Sequence, residues 1–296
     1  MNRHIITLIR PHQWLKNLFV FTPLFFDRHV TDWNYVWPCV VAFIAFCLAA
    51  SGIYCLNDIH DAEADRQHPV KRMRPVACGA VSKRTAYTTM CIVWITAFTL
   101  VVWGCLNSCN MQNWLIGTLL IYIFMNIAYC VKLKQIALLD IFVIATGFVL
   151  RIVAGGLATG IILSHWIVLI TFLLALFLAV AKRRDDVAIY ETSGIMARKN
   201  VVRYNMDFLN QSIGFLGSVT IMCYILYTVS NEVVERMGSH YLYATSVFVL
   251  AGIMRYMQLT LVDRKSGSPT KVLLHDHFIH SCIIGWIVAF TLILYV

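Results

Sequence analysis

The sequence has 296 residues, of which 59% are hydrophobic and 13% are charged, and its mean hydropathy is +0.72. No soluble domain of this length has such a composition, so we expect an all-α integral membrane protein. The formal net charge of +9 follows the connections between apolar segments, which excludes nucleic acid as the expected partner and favours the bilayer.

Nine apolar segments are predicted to cross the membrane, because each span takes roughly 20 such residues. They lie near residues 15–30, which is short and marginal, and near 36–56, 86–106, 112–131, 138–158, 161–181, 211–230, 240–262 and 278–296. The connections are short, so the whole chain, 1–296, is predicted to form a single transmembrane domain. Two connections, about 57–85 and 182–210, are long enough to form cap loops.

The distribution of basic residues predicts the orientation of the chain. With a cytosolic N-terminus, the nine spans place twenty of the twenty-four Lys and Arg residues on the cytosolic side. This is the positive-inside pattern, and the reverse orientation fails it. We therefore expect a multi-pass protein of the cell membrane, inner or plasma, with two cytosolic cap loops. Two similar caps four helices apart also suggest a ring of helices around a central cavity that opens to the cytosol.

Near the start of the chain, Lys16 and Asn17 lie at the base of the first apolar segment, and Trp14 is expected at the membrane interface. A lysine in such a position commonly extends its charged end toward the interface. The sequence leaves open whether Lys16 does only this or also binds a substrate.

Polar residues recur every four positions where the second span ends. Asn57, Asp61 and Asp65 would form one stripe on a helix, with Asp58 beside them. Carboxylates this close repel one another unless they share a cation, and hard oxygen ligands suit Mg²⁺. The alternative is a solvated cap helix that is neutralised by the basic residues after it. Because unpaired carboxylates are costly at a hydrophobic exit, the pattern favours metal binding.

The segment after this stripe is basic. His68-Pro69 is expected to end the cap helix, since proline disfavours helix in the residue before it. Lys71 and Arg74 follow on a turn, where they would clamp phosphate oxygens. Anchoring of the chain at the membrane surface is the alternative, but it accounts for only one or two such charges. Acidic and basic clusters at one membrane mouth together suggest a magnesium-bound diphosphate.

Charged residues also occur in and beside the middle spans. Lys132 and Lys134 close the fourth span, and Asp140 and Arg151 lie in the fifth. Eleven residues of helix separate the last two by about 16 Å, so they cannot form a simple ion pair. An ionisable residue at membrane depth is by default a functional-site hypothesis, and Arg255 in the eighth span raises the same question.

A third charged cluster, Lys182-Arg183-Arg184, ends the sixth span and is followed by Asp185-Asp186. Three consecutive cations at a membrane edge are also typical of plain stop-transfer charge. Anchoring does not require the adjacent acids, so their presence favours an organised site.

The acidic stripe on a cytosolic cap after the second of nine helices resembles the UbiA superfamily of intramembrane prenyltransferases. The resemblance implies a ring of α-helices that holds a lipid in a central cavity, with magnesium and diphosphate under the cap. The usual prenyltransferases of this superfamily carry a second motif, D-x-x-x-D, after the sixth helix. Here Lys182-Arg183-Arg184 dominates that position, and Asp185-Asp186 is followed by Ile189 and Tyr190.

Motifs across nearly the whole chain are similar to those of one branch, the polyprenyl-phosphate phosphoribosyltransferases, whose best-known members use decaprenyl phosphate. These motifs are Arg10-Pro11-x-Gln13-Trp14-x-Lys16-Asn17, Asp65-Arg66-x-His68-Pro69-x-Lys71-x-x-Arg74-Pro75, Lys132-x-Lys134 with Asp140, Phe148-x-Leu150-Arg151, and Lys182-Arg183-Arg184. The branch implies 5-phosphoribosyl 1-diphosphate as donor and a polyprenyl phosphate as acceptor, in lipid-linked sugar and cell-envelope biosynthesis. The diphosphate of the donor then needs a metal ion. The two monophosphates, one on the ribose and one on the lipid, need basic side chains in place of the second pair of aspartates.

This hypothesis gives each candidate residue a role. The residues expected to hold Mg²⁺ are Asn57, Asp61 and Asp65, assisted by Asp58. The residues expected to carry catalysis are Asp58, Asp61, Lys71 and Arg74, of which the two cations would stabilise the leaving diphosphate. The residues expected to bind substrates are Lys16, Tyr54, Lys132, Lys134, Asp140, Arg151, Lys182, Arg183 and Arg184. The lipid phosphate is already anionic, so it would attack C1 of the ribose without a general base.

Two alternatives remain. A prenyltransferase of the same family would move a prenyl group from a prenyl diphosphate to an aromatic or quinone acceptor. A transporter or channel would spread its charges at mid-depth along several spans, whereas these charges cluster at one mouth. The sequence leaves open the length of the lipid and the formation of a homo-oligomer.

Overall fold

The computed structural model describes residues 2–67, 71–194, 199–263, 272 and 274–295, and all regular structure in these ranges is helical. The α-helices, numbered in chain order, are α1 (Asn2–Ile9), α2 (Thr22–Phe26), α3 (Trp33–His60), α4 (Ala62–Gln67), α5 (Lys83–Asn107), α6 (Trp114–Val131), α7 (Leu139–Thr159), α8 (His165–Ser193), α9 (Met206–Val229), α10 (Asn231–Met237), α11 (Ser246–Leu261) and α12 (His277–Tyr295). The 3-10 helices are Pro11–Phe21, Lys71–Met73, Leu133–Gln135, Lys199–Arg203 and Tyr241–Thr245.

Within the described ranges, seven helices are long and apolar enough to cross a bilayer. They are α3, α5, α6, α7, α8 as far as Thr192, α9, and Tyr241–Leu261. The last of these comprises the 3-10 helix Tyr241–Thr245 and α11. A further apolar stretch in α12, His277–Ile293, is shorter. Each of the seven overlaps a predicted span, and the chain is a multi-pass membrane protein. The predicted total of nine spans and the cytosolic placement of the caps stay predictions.

The first predicted span, 15–30, differs from the expectation of one continuous helix. The chain runs as a 3-10 helix from Pro11 to Phe21 and then as the short helix α2. The backbone N–H of Thr22 donates to the carbonyl of Phe19, three residues earlier. An α-helical hydrogen bond would instead reach the residue four positions earlier. Pro23 has no N–H and therefore cannot extend α-helical hydrogen bonding across this junction.

The two predicted cap loops contain the expected polar helices. In 57–85 the last turn of α3 is followed by α4 and the 3-10 turn Lys71–Met73, and α5 begins at Lys83. In 182–210 α8 itself continues to Ser193, and α9 begins at Met206. The predicted helix end at His68-Pro69 lies outside the described residues.

The chain divides into two compact units. Unit 1 comprises Met1–Lys134 and Thr146–Leu163, and unit 2 comprises Gln135–Ala145 and Ser164–Val296. The prediction of one domain over residues 1–296 therefore stays a prediction.

In unit 1, α3 is the central helix and packs on α5, α6 and the 3-10 helix Pro11–Phe21. Glycines allow two close approaches between helices of this unit. A Cβ on Gly52 would stand 2.1 Å from the indole nitrogen of Trp94, and one on Gly155 would stand 2.0 Å from the carbonyl oxygen of Val20. Any larger residue would push these elements apart, as is common where membrane helices meet through small residues.

Aromatic residues mark one end of the unit 1 helices. Trp33 begins α3 and stacks on Trp37, which meets Trp103 near the end of α5. All three side chains are exposed, as is typical of the membrane–water interface. Asp58 lies about 38 Å further along α3, so the polar end of this helix lies at the opposite interface.

In unit 2, α8 packs against α9, and α11 packs against both α9 and α12. Hydrogen bonds through one tyrosine connect these elements. The hydroxyl of Tyr224 in α9 lies 2.7 Å from Thr245 Oγ1, and Trp286 Nε1 in α12 donates to the same Tyr224 hydroxyl at 2.6 Å. Such buried polar contacts fix the helices where lipid supplies no hydrogen-bond partner.

Candidate active site

The carboxylates predicted to bind a metal lie where α3 gives way to α4. α3 ends at His60, and the backbone N–H of Asp61 donates to the carbonyl of Asn57 at 2.9 Å. The N–H of Asp65 donates in turn to the carbonyl of Asp61 at 2.8 Å. Since this four-residue spacing continues across the junction, the three polar residues of the stripe follow one another turn by turn.

Two arginines neutralise the two buried carboxylates of this segment. Arg10 pairs through Nη2 with Oδ1 of Asp58, and its guanidinium lies over the ring of Tyr54 at 5.0 Å. Arg74 Nη1 lies 2.6 Å from Oδ2 of Asp65 and 3.5 Å from Oδ1 of Asp58. Asp58 is 1% exposed and Asp65 is 4% exposed, and a carboxylate at such depth is costly without a cation.

A lysine holds the remaining carboxylate. Lys134, in the 3-10 turn after α6, places Nζ 2.7 and 2.8 Å from the two oxygens of Asp61 and 3.5 Å from Oδ1 of Asn57. The imidazole Nδ1 of His60 lies 3.0 Å from Oδ1 of Asp61. Burial raises the pKa of Asp61, but the hydrogen bonds from His60 and Lys134 and their charges outweigh it, so this pKa lies below its ordinary value. Asp61 therefore remains a carboxylate at neutral pH.

Arg10 is the site residue to which the sequence analysis gave no role. Its backbone is left-handed, with φ 52° and ψ 62°, immediately before Pro11. A non-glycine residue is held in this region only where its surroundings determine it. The motif beginning at Arg10 was visible in the sequence. The pairing with Asp58 was not, because it joins residues 48 positions apart through the tertiary fold.

The donor chemistry of this segment fits a hard divalent cation. Asn57, Asp58, Asp61 and Asp65 offer only oxygen ligands, and Oδ2 of Asp58 is buried without a hydrogen-bond partner among the described residues. A cation would satisfy that oxygen. As the side chains stand, however, no group of three or more His, Cys, Asp or Glu in the described ranges lies close enough together to hold a metal ion. Each of the three aspartates instead has a basic residue as its nearest charged partner, and Arg74 contacts two of them.

Four other predicted site residues belong to unit 1. Tyr54 is half-buried on α3, one turn before Asp58, and its ring carries the Arg10 guanidinium. Lys16 and Lys71 are also half-buried, whereas Lys132 is exposed at the end of α6. The substrate-binding roles of Lys16, Tyr54 and Lys132 and the catalytic role of Lys71 stay predictions.

Arg151 is buried within unit 1 and is held by neutral groups. Its Nε donates to Asn17 Oδ1 at 2.6 Å, Nη1 to the carbonyl of Gly147 at 2.6 Å, and Nη2 to the hydroxyl of Tyr122 at 2.8 Å. The rings of Tyr122 and Phe148 lie 5.0 and 5.1 Å from the guanidinium carbon. In this structure Arg151 thus connects α7 with α6 and the 3-10 helix Pro11–Phe21.

In unit 2, Asp140 pairs with a fully buried arginine. Arg183 Nε lies 2.5 Å from Oδ2 of Asp140, and Arg183 Nη1 pairs with Asp186. The hydroxyl of Tyr204 donates to Oδ1 of Asp140 at 2.9 Å and accepts from the N–H of Leu138 at 2.7 Å. Burial and the nearby carboxylate raise the pKa of Tyr204, so its hydroxyl keeps the proton that it donates. Asp140 and Arg183, predicted to bind substrate, are both engaged by protein groups here.

Arg184 is also engaged by protein groups. Its Nε donates to Asn210 Oδ1 at 2.7 Å, and Nη1 and Nη2 donate to the carbonyls of Thr260 and Leu261 at 2.6 and 3.4 Å. These carbonyls belong to the last turn of α11, so Arg184 caps that helix. Lys182, the first residue of the cluster, is half-buried on α8.

The chain is similar to known proteins over nearly its whole length. A model described as the UbiA prenyltransferase family matches residues 19–283. A decaprenyl-phosphate phosphoribosyltransferase of Mycolicibacterium smegmatis is 31% identical over 293 residues, which cover 96% of this chain and 90% of the relative. The same-named protein of Corynebacterium glutamicum is 31% identical over 306 residues, covering 99% and 87%.

A solved structure shares the fold. The structure of a UbiA homolog from Archaeoglobus fulgidus, bound to GPP and Mg²⁺, has a TM-score of 0.71 with this chain. The superposition covers 99% of this chain and 100% of the homolog at 17% sequence identity.

Proposed function

Because this chain belongs to the UbiA prenyltransferase family, we propose that it transfers the 5-phosphoribosyl group of 5-phosphoribosyl 1-diphosphate to a polyprenyl phosphate, with release of diphosphate. The observation that carries this proposal is the 31% identity to a decaprenyl-phosphate phosphoribosyltransferase over 96% of the chain. The acceptor is a lipid of the decaprenyl type, and the product is a lipid-linked sugar phosphate for cell-envelope biosynthesis.

The proposed reaction needs alignment and charge stabilisation more than proton transfer. An oxygen of the lipid phosphate forms a bond to C1 of the ribose, and the bond from C1 to the diphosphate oxygen breaks with its electron pair. The attacking oxygen carries no proton at neutral pH, so no general base is required. Positioning of the two substrates and stabilisation of the leaving group therefore account for the rate.

Asn57, Asp61 and Asp65, assisted by Asp58, would hold Mg²⁺ at the diphosphate. When bound, the ion supplies positive charge against the negative charge that develops on the leaving group. Two observations support this assignment: the oxygen-only ligand set, and the Mg²⁺ in the Archaeoglobus homolog.

The basic residues next to these carboxylates would bind the diphosphate itself. Arg74 lies between Asp58 and Asp65 and offers a fork of donors to phosphate oxygens, with Lys71 in the turn before it. Together they would stabilise the leaving group. The residues proposed to position the donor are Lys16, Tyr54, Lys132 and Lys134, and we add Arg10 to them because it pairs with Asp58.

We assign a monophosphate, of the ribose or of the lipid, to the cluster at Lys182, Arg183 and Arg184. Lys182, Arg183 and Arg184 would all contribute positive charge to this site, and the two arginines also hold protein oxygens. Arg183 would also act on this site by fixing Asp140, and Arg184 by fixing the end of α11. Arg151 stays a proposed substrate-binding residue, and within unit 1 it fixes α7 against α6 and the 3-10 helix Pro11–Phe21.

The proposed mouth of the site faces the cytosol of a cell membrane. The positive-inside distribution of Lys and Arg supports this orientation, and the water-soluble sugar donor is then available on the correct side.

A product assay with two donors tests the proposal. The purified protein in detergent is given Mg²⁺, several polyprenyl phosphates and radiolabelled 5-phosphoribosyl 1-diphosphate; a parallel reaction contains a labelled prenyl diphosphate and an aromatic acceptor. We expect a labelled lipid only in the first reaction, heavier than its acceptor by one phosphoribosyl group, with one diphosphate released per product. Lipid labelled only from the prenyl diphosphate would overturn the proposal in favour of ordinary prenyl transfer.

A further inference from the structure

Each of the three aspartates proposed to bind the metal has a basic side chain as its nearest charged partner. We call these six residues the paired cluster: Asp58 with Arg10, Asp65 with Arg74, and Asp61 with Lys134. Three negative and three positive formal charges sum to zero. The cluster is therefore electrically balanced before any metal or substrate arrives.

This balance opposes the entry of a metal ion alone. An ion that binds Asp61 must displace the ammonium of Lys134, whose side chain is only 13% exposed. The displaced charge would then stand near the membrane mouth without its counter-ion, which is costly for a partly buried cation. A diphosphate that arrives together with the ion removes this cost, because its oxygens accept the displaced ammonium group.

We propose that Lys134 is an internal counter-cation of Asp61, which leaves the carboxylate when a diphosphate arrives, so that the divalent ion and the diphosphate bind interdependently. This inference rests on the proposed function for the identity of the diphosphate as part of the sugar donor. It extends that function by giving Lys134 a role in coupling the binding of the metal ion to that of the diphosphate.

The geometry distinguishes Lys134 from the two arginines of the cluster. Arg10 is fixed by the left-handed turn before Pro11 and by the ring of Tyr54, and Arg74 contacts two carboxylates at once. Lys134 contacts Asp61 through a single nitrogen at the end of a flexible stem. Such a point charge can move between acceptors without losing a two-pronged geometry.

Asp61 is also the most accessible carboxylate of the cluster. Its side chain is 26% exposed, whereas those of Asp58 and Asp65 are 1% and 6% exposed. An incoming ion therefore meets Asp61 first. The buried Oδ2 of Asp58, which has no hydrogen-bond partner among the described residues, provides a further acceptor deeper in the same segment.

The test measures binding of Mn²⁺ as a spectroscopic substitute for Mg²⁺ and requires no turnover. Electron paramagnetic resonance gives the affinity of the full-length protein for Mn²⁺ alone, and retention of labelled inorganic pyrophosphate gives its affinity with and without Mn²⁺. Because coupling is reciprocal, the gain of pyrophosphate affinity caused by Mn²⁺ equals the gain of Mn²⁺ affinity caused by pyrophosphate. We expect this gain to be about tenfold or more in the wild type.

Variants at Lys134 separate the proposed role from a purely structural ion pair. Lys134→Met removes the competing charge, so it should bind Mn²⁺ alone about tenfold more tightly than the wild type, and its coupling to pyrophosphate should shrink. Lys134→Arg keeps the charge and should bind Mn²⁺ alone as weakly as the wild type. The matched control is Lys83→Met, which breaks the exposed pair of Lys83 with Glu63 and should leave both affinities unchanged.

Two results would overturn the inference: equal pyrophosphate affinity with and without Mn²⁺ in the wild type, or unchanged affinity for Mn²⁺ alone in a folded Lys134→Met protein. If Lys134→Met does not fold, the wild type and Lys134→Arg still decide the question through the coupling. These measurements contain neither sugar nor lipid, so they are independent of the product assay. Strong coupling without phosphoribosyl transfer would contradict the proposed function alone, and phosphoribosyl transfer without coupling would contradict only the role of Lys134.

Discussion

Arg183 donates through Nε to Oδ2 of Asp140 at 2.5 Å, and neither side chain has any exposed surface. The pair joins the first turn of α7 to α8, forty-three residues later. Tyr204 completes the environment by donating to the other carboxylate oxygen. A buried carboxylate with these donors fixes the surrounding backbone, including Leu138, whose φ of 68° is left-handed.

Asp140→Asn should therefore destabilise the protein severely. The substitution leaves the guanidinium of Arg183 buried beside a neutral amide, and breaking a buried pair in this way costs about 3–5 kcal/mol. Denaturant unfolding in detergent, followed by circular dichroism, measures the change in the free energy of unfolding. The control, Glu63→Gln, alters a side chain that is 82% exposed and should leave stability unchanged. A stability equal to that of the wild type would show that the Asp140 pair does not hold unit 2 together.

Arg10→Ala should lower phosphoribosyl transfer by about tenfold or more, because Asp58 is buried and loses its closest cation. Steady-state assays over a range of donor concentrations measure the effect. Arg10→Lys keeps the charge and should recover part of the rate, since the ammonium cannot reproduce the guanidinium fork over Tyr54. Arg3→Ala removes an exposed arginine from α1 and should match the wild type. Wild-type rates in Arg10→Ala would remove Arg10 from the site.

Asp61→Asn should reduce formation of lipid-linked phosphoribose by about 100-fold or more, because a neutral amide is a weaker ligand for Mg²⁺ than a carboxylate and a weaker partner for Lys134. Removal of divalent ions from the wild type with a chelator should abolish the same product, and added Mg²⁺ should restore it. The product is measured by mass spectrometry of the lipid extract. Near-normal product formation by Asp61→Asn with Mg²⁺ present would show that the metal assignment is wrong.

The local pattern of the site could be predicted from the sequence because it depends on helical spacing. Asn57, Asp61 and Asp65 keep the four-residue register across the junction of α3 and α4, which is the arrangement that their spacing indicates. The overlap of seven predicted spans with long apolar helices has the same origin, since length and hydropathy are local properties of the chain.

The pairing of charges could not be predicted, because it depends on which distant segments the fold brings together. Asp58 meets Arg10 from the start of the chain, and Asp61 meets Lys134, seventy-three residues later. Arg183 and Arg184 illustrate the same point. Their position after a span is typical of phosphate ligands or anchoring charges, but tertiary packing engages one with a buried acid and the other with a helix end.

Asp276 gives the protein a pH-dependent contact outside the spans. It lies before α12, its Oδ2 is 2.8 Å from Arg255 Nη2, and its Oδ1 accepts from the N–H of Ile279 at 2.9 Å. The hydrogen bond from Arg255 lowers the pKa of Asp276, and backbone donors including Ile279 act in the same direction against burial. Arg255, the charged residue of the eighth predicted span, therefore pairs with Asp276 and holds the start of α12.

The sign of this pH dependence follows from the lowered pKa. A carboxyl group whose pKa is lower in the folded state stabilises the fold above its unfolded pKa, about 3.9, and this contribution is lost as the pH falls through the folded value. Asp276→Asn cannot ionise, so it lacks the contribution at every pH. We expect the wild type to melt at a higher temperature than Asp276→Asn at pH 7, and the two melting temperatures to converge as the pH approaches 3. Thermal melts in detergent between pH 3 and 7 measure this, and a constant difference over the whole range would show that ionisation of Asp276 does not stabilise the α12 contact.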